Sequence, residues 1–186
     1  MRACSRSAYY TFTSCRSEMT QVNEKSYNVL FLCTSNSARS IMAEVLLMGL
    51  GKGRFMAYSA GSYPKGEVHP LAIAELHKHG HRTEGLRSKG WDEFARPDAP
   101  AVDFVFTVCD KAAGEACPVW PGKPITGHWG FEDPAAASGT EAERRRIFAR
   151  VYLQICNRLQ LFLALPLDKL ERMSIQQQVR AMGKPA

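Results

Sequence analysis

The chain has 186 residues, 45% of them hydrophobic and 23% charged, the proportions of an ordinary globular domain, which excludes wholesale disorder. Twenty-four Lys+Arg against 18 Asp+Glu give a net charge of +6, which suits anionic ligands but does not choose between nucleic acid and a small oxyanion. No run of about 18 apolar residues occurs, so no membrane-spanning helix is expected.

Residues 1–26 are rich in Ser and Arg and lack both an apolar signal core and a regular amphipathic pattern. They are expected to be a disordered extension, with Met19 as an alternative start, and Cys4 and Cys15 leave the chemical argument with them. YNVLFLC (27–33) is a short apolar run of the buried-strand type. After the polar turn TSNSARS comes a helix in which Ile41, Val45 and Met48 share a face, ending near Gly51 and Gly53. MAYSAGS (56–62) reads as a second strand. Pro70 and Gly80 bracket a second helix. DFVFTVC (103–109) and PITGHWGF (124–131) read as third and fourth strands. Thr140 and Glu143 form a capping box for a long helix with Ile147, Val151, Ile155, Leu159 and Phe162 on its apolar face, opposite Arg146, Arg150 and Arg158. Pro166 ends that helix, and 166–186 are expected to be a separate helical tail to a domain spanning 27–165. The strand–helix alternation predicts an α/β layered fold with a largely parallel sheet.

Six cysteines in a chain of this length, without a secretory signal, favour reduced thiols over a disulfide scaffold and point to the cytoplasm. The strongest local signal is Cys33-Thr34-Ser35-Asn36-Ser37-Ala38-Arg39-Ser40, between a buried strand and a helix. Backbone N–H groups of such a turn, with the helix N-terminus behind them, bind a tetrahedral oxyanion and lower a thiol pKa. Arg39 can hold two oxyanion oxygens at once, and Ser40 can donate to the thiolate. The plainer reading is a buried Cys at a strand end with an Arg in a helix first turn.

CTSNSARS resembles the C-x5-R-S loop of low-molecular-weight protein tyrosine phosphatases and of the arsenate reductases that share their fold. The resemblance runs through Tyr58-Ser-Ala-Gly61, the strand ending at Cys109, and Trp129-Gly-Phe-Glu-Asp133-Pro134, over roughly 27–165. It implies a three-layer fold, a four-stranded parallel sheet flanked by helices. It also implies Asp133 as the general acid and residues 34–39 as the oxyanion cradle. Cys109 and Cys117 stand where thioredoxin-linked arsenate reductases carry a redox pair. The resemblance then implies a relay: Cys33 forms a thiol–arsenate adduct, Cys109 displaces arsenite, and Cys117 takes up the disulfide for an external reductant. No bound cofactor is implied, only a thiol donor, thioredoxin ahead of glutaredoxin. Tyrosine phosphatases of the family follow the Asp-Pro pair with tyrosines; Ala135–Ala137 offer no ring, which favours a small inorganic substrate.

Three departures stand out. Ser35 occupies a position usually held by Gly, and Ala38 replaces a second loop Cys. Seven residues separate Cys109 from Cys117, one more than in the best-known thioredoxin-linked members. Asn36, Glu44 and Ser59 match three of four potassium ligands of some relatives, but Lys89 takes the acidic position, so no metal is expected. His69, His77, His79 and His81 do not converge on one face and are read as solvated rather than as zinc ligands. Arg144-Arg145-Arg146 is read as a solvated helix face without interleaved aromatics, arguing against nucleic-acid binding. Cys156 is read as a core thiol. The expected activity is arsenate reduction; phosphoester hydrolysis is the alternative, and an oxyanion-binding or redox-sensing module the third.

Overall fold

A computed structural model describes residues 26–113 and 120–183. The expectations for the first 25 residues and for Cys117 lie outside these. Four strands, β1 (Tyr27–Cys33), β2 (Phe55–Gly61), β3 (Phe104–Thr107) and β4 (Ile125–His128), form one all-parallel sheet in the order β2-β1-β3-β4. Among the described residues five α-helices accompany them: α1 (Arg39–Leu50), α2 (Pro70–Lys78), the one-turn α3 (Asp110–Ala113), α4 (Glu141–Leu163) and α5 (Arg172–Met182). None of the described helices is long and apolar enough to cross a membrane.

β1 is the central strand and is buried on both faces, as its continuous apolar run requires. Successive side chains alternate: Val29, Phe31 and Cys33 join the larger core cluster, while Leu30 and Leu32 join the smaller one. The larger cluster holds the buried faces of α1, α2, α4 and α5 and an aromatic stack of Phe106 on Trp129 at 3.9 Å. The smaller one is closed by the 3-10 turn Trp91–Phe94, Val102 and Trp120.

Several local expectations shift. Met48 is 45% exposed; α1 instead buries Met42, Ala43, Leu46 and Leu47 beside Ile41 and Val45, because both the sheet and α4 contact this helix. On α4, Phe148 rather than Ile147 is the fully buried residue of the first turns, and Arg158 is half-buried. The Thr140–Glu143 capping box forms in full. Beyond the boundary expected at 165–166, Leu167, Ile175 and Val179 join Leu165 in the main core, and Trp129 Nε1 donates to the Val179 carbonyl at 3.2 Å. The histidines are also more engaged than expected. His69 caps α2 and stacks on Phe148, His79 stacks on Tyr152 at 4.2 Å, and His81 bonds the Tyr152 hydroxyl. Within the arginine triplet, Arg145 pairs with Glu141, whereas Arg144 is half-buried with its Nε enclosed. Cys156 packs at the margin of the core.

Candidate active site

In an open parallel sheet, ligands bind beyond the carboxyl ends of the strands where the strand order reverses. Here that point lies between β1 and β3. Cys33 ends β1, and Cys109 follows β3 by two residues. Leu32 pairs with Thr107, so the chain two residues on brings Thr34 beside Cys109, with Oγ1 3.6 Å from its Sγ. Both thiols are buried, at 1% and 2% exposure, and both are free.

The 33–40 loop is fastened from outside and points its polar hydrogens at Cys33. Tyr63, Lys65 and His69 donate backbone N–H groups to the carbonyls of Thr34, Ser35 and Ser37. Gly61 permits this close packing, since a Cβ there would meet the Thr34 carbonyl oxygen at 2.6 Å. Asn36 N–H donates to Cys33 Sγ at 3.1 Å, and Ser40 Oγ lies 3.0 Å from the same sulfur. The direction of the Ser40 proton follows from its neighbours. Lys89 N–H donates to Asn36 Oδ1, which fixes the amide; Asn36 Nδ2 then donates to Ser40 Oγ and Ser59 Oγ, each at 2.9 Å. Ser40 Oγ therefore accepts from Asn36 and has its own hydrogen available for Sγ. Ser59 Oγ donates a hydrogen bond to the Glu44 carboxylate, which meets Lys89 Nζ at 3.4 Å. The Lys89 ammonium thus stands within the Asn36, Glu44 and Ser59 group.

Positive φ falls on Asn36 (φ 42) and not on Ser35, so the serine carries no left-handed strain. Asn tolerates that region better than most residues, and its side-chain bonds hold it there. The Cys33 thiol is raised from its ordinary value rather than lowered. Burial is the largest cause, with the neighbouring Cys109 adding to it, while Ser40, the Asn36 amide and Arg39 oppose the rise.

Arg39 is 8% exposed. Its Nη1 donates to the Phe131 carbonyl at 3.0 Å and its Nη2 pairs with Asp133 Oδ2 at 3.0 Å. The guanidinium expected to clasp an oxyanion thus already holds the 129–134 loop. Asp133 also accepts from Ala135 N–H at 3.1 Å and starts the turn Pro134–Ala136. Cys109 Sγ accepts from Ala112 N–H in α3 at 3.4 Å. Thr34, Ser35, Arg39, Cys109 and Asp133 line one cavity of about 380 Å³. Lys65, Lys111, Asp110, Phe131 and Glu132, which motif reading does not single out, line it too. Asp133 is held by Arg39, Glu132 by Arg150 and Asp110 by His128; among the described residues, Lys65 and Lys111 have no such carboxylate. Those two lysines leave the mouth positive. The Cys109 thiol, the Arg39 guanidinium and the Asp133 carboxyl line this cavity, while Cys33, 1% exposed, is not among its lining residues and is represented there by Thr34, Ser35 and Arg39 of its loop; such a set suits chemistry on a tetrahedral oxyanion.

Residues 28–178 match the family described as low molecular weight phosphotyrosine protein phosphatase. The chain is 38% identical over 134 residues to an arsenate reductase of Bacillus subtilis (strain 168), covering 72% of this chain and 93% of that protein. Among solved structures it is similar to an arsenate reductase in the oxidized state, with 30% identity, a TM-score of 0.60, and 74% and 96% of the two chains covered. The thioredoxin-dependent arsenate reductase of Corynebacterium glutamicum has the same fold at 24% identity and a TM-score of 0.51, over 75% of this chain and 63% of that one. By fold, loop and extent of match, this chain belongs to the low molecular weight phosphotyrosine protein phosphatase family.

Proposed function

We infer that this protein reduces arsenate to arsenite through Cys33, Cys109 and Cys117. The observation that carries the reading is that Cys109 lines the same cavity as the 33–40 loop, reached through Thr34. Hydrolysis of a phosphocysteine needs one thiol, whereas reduction needs further thiols to supply two electrons. The similarity to proteins named arsenate reductase supports the same choice.

In the proposed sequence the Cys33 thiolate attacks arsenic(V) and a hydroxide leaves as water, protonated by Asp133, giving a sulfur–arsenic bond. The Cys109 thiolate then attacks Cys33 Sγ. A Cys33–Cys109 disulfide forms, the sulfur–arsenic bond breaks, and its electron pair goes to arsenic, released as arsenite. Cys117 next attacks Cys109 Sγ, which returns Cys33 as a thiol and leaves a Cys109–Cys117 disulfide. An external dithiol reduces that disulfide, with thioredoxin the first choice and glutaredoxin the second. Arg39 and the amides of Thr34, Ser35, Asn36, Ser37 and Ala38 hold the oxyanion, and Ser40 stabilises the Cys33 thiolate. The free thiols of Cys33 and Cys109 suit a reducing compartment, so the cytoplasm is the proposed location.

The test is NADPH consumption on adding arsenate, with thioredoxin and its reductase supplied, beside hydrolysis of an aryl phosphate. Sustained oxidation that disappears in Cys117→Ala is the expected result. Aryl phosphate turnover with no arsenate-dependent oxidation, under thioredoxin and then glutaredoxin, would establish the phosphatase reading instead.

A further inference from the structure

A second cavity, of about 360 Å³, shares Phe131 and Glu132 with the first. Its other walls are Gly130 and four residues of α4: Gln154, Asn157, Arg158 and Leu161. Those four fall at i, i+3, i+4 and i+7, so one flank of the helix supplies them. Arg158 Nη1 is buried and has no hydrogen-bond partner among the described residues. Its guanidinium carbon lies over the Phe131 ring, 5.9 Å from the centroid. Burial pushes this guanidinium below its ordinary pKa. Arginine does not shed its charge in proteins, so a partly desolvated guanidinium that lines the cavity and has no carboxylate partner among the described residues carries a cost that an anion beside its accessible edge offsets. Glu132, the carboxylate in the cavity wall, is bound by Arg150 at 2.5 Å. Counting Arg150, Glu132 and Arg158, the local balance favours an anion.

The ligand class follows from the other walls. A guanidinium held over a ring face, as Arg158 is over Phe131, can still present N–H groups to a two-oxygen acceptor. Phe131 and Leu161, the latter 57% exposed, offer apolar surface that a bare inorganic ion does not use. We propose that this cavity is a binding site for a small organic monocarboxylate, its carboxylate on Arg158 and the side-chain amides of Asn157 and Gln154, and its apolar body against Phe131 and Leu161. The site is separate from the Cys33 loop and does not depend on which reaction that loop performs.

Benzoate serves as the probe and sulfate as the inorganic control, each titrated into the full chain while backbone amide NMR shifts are followed. Benzoate is expected to give saturable shifts at Gly130, Phe131 and Asn157. Arg158→Met, which keeps the aliphatic stem, should weaken that binding by at least about tenfold while sulfate still shifts Ser37 and Arg39. Asn157→Asp, at an exposed position, places a carboxylate beside Arg158 and should abolish benzoate binding without disturbing the core. Benzoate shifts confined to residues 34–40, or equal affinity in either variant, would overturn the site. Sulfate shifts at Gly130 with no benzoate response would overturn the carboxylate assignment.

Discussion

Arg39 Nη2 and the Asp133 carboxylate stand 3.0 Å apart, the arginine side chain 10% exposed and the aspartate 42%. With Nη1 on the Phe131 carbonyl, the guanidinium joins the 33–40 loop to the loop that carries the carboxyl group. Under the proposed function, an oxyanion arriving at Arg39 would compete with Asp133, which would couple binding to the freeing of that carboxyl group.

Replacing Arg39 with Lys keeps the charge and loses the fork. One ammonium cannot hold Phe131, Asp133 and an oxyanion together, so KM for arsenate should rise at least about tenfold, the size expected from losing a charge-assisted hydrogen bond. Steady-state kinetics in the coupled assay reads this. An unchanged KM would mean that the loop amides alone bind the substrate.

Ser40→Ala tests the hydroxyl that faces Cys33. Burial raises the thiol and Ser40 opposes the rise, so removing Ser40 moves it further up. The thiolate is the reactive form and its population grows with pH, so the alkylation rate of Cys33 rises with pH through its midpoint. The midpoint in Ser40→Ala should lie higher by about one unit, roughly the free energy of one hydrogen bond. Iodoacetamide alkylation of Cys33, followed against pH by mass spectrometry, measures it; a midpoint at or below the parent's refutes the assignment.

Asn36 combines a left-handed backbone with bonds to Ser40 and Ser59. Asn36→Gly loses the side chain only, whereas Asn36→Ala loses it and pays for the backbone. The alanine variant should therefore be the less stable of the two by about 1 kcal/mol in urea denaturation. Equal stabilities would show that the loop relaxes to a negative φ.

Ending the chain at Leu165 tests whether α5 is a tail or part of the core. Ile175 and Val179 are buried, and Trp129 would lose its carbonyl partner. At about 1.5–3 kcal/mol per buried aliphatic side chain, the loss is several kcal/mol, enough to lower Tm sharply or prevent soluble expression. A truncated chain melting with the full one would support the boundary at 165.

The local elements were legible because their signals are local. The apolar run 27–33, Pro70 at a helix start, and the Thr140 capping box each specify an element within a few residues, and the structure has all three. The 33–40 motif was likewise legible as a turn between a strand and a helix, although the backbone bonds that fasten it come from Tyr63, Lys65 and His69 outside the motif. Cys117 remains a reading from the motif alone. What a single sequence does not encode locally is register and burial. That Thr34 lies beside Cys109 depends on pairing Leu32 with Thr107, a contact between segments 75 residues apart. The upward shift of Cys33 needs the degree of burial, and the commitment of Arg39 to Phe131 and Asp133 needs the position of a loop about 90 residues away. The sequence thus determined which groups are present and on which elements. Only the tertiary structure decided which groups meet, because desolvation and hydrogen bonding depend on distances that long-range packing sets.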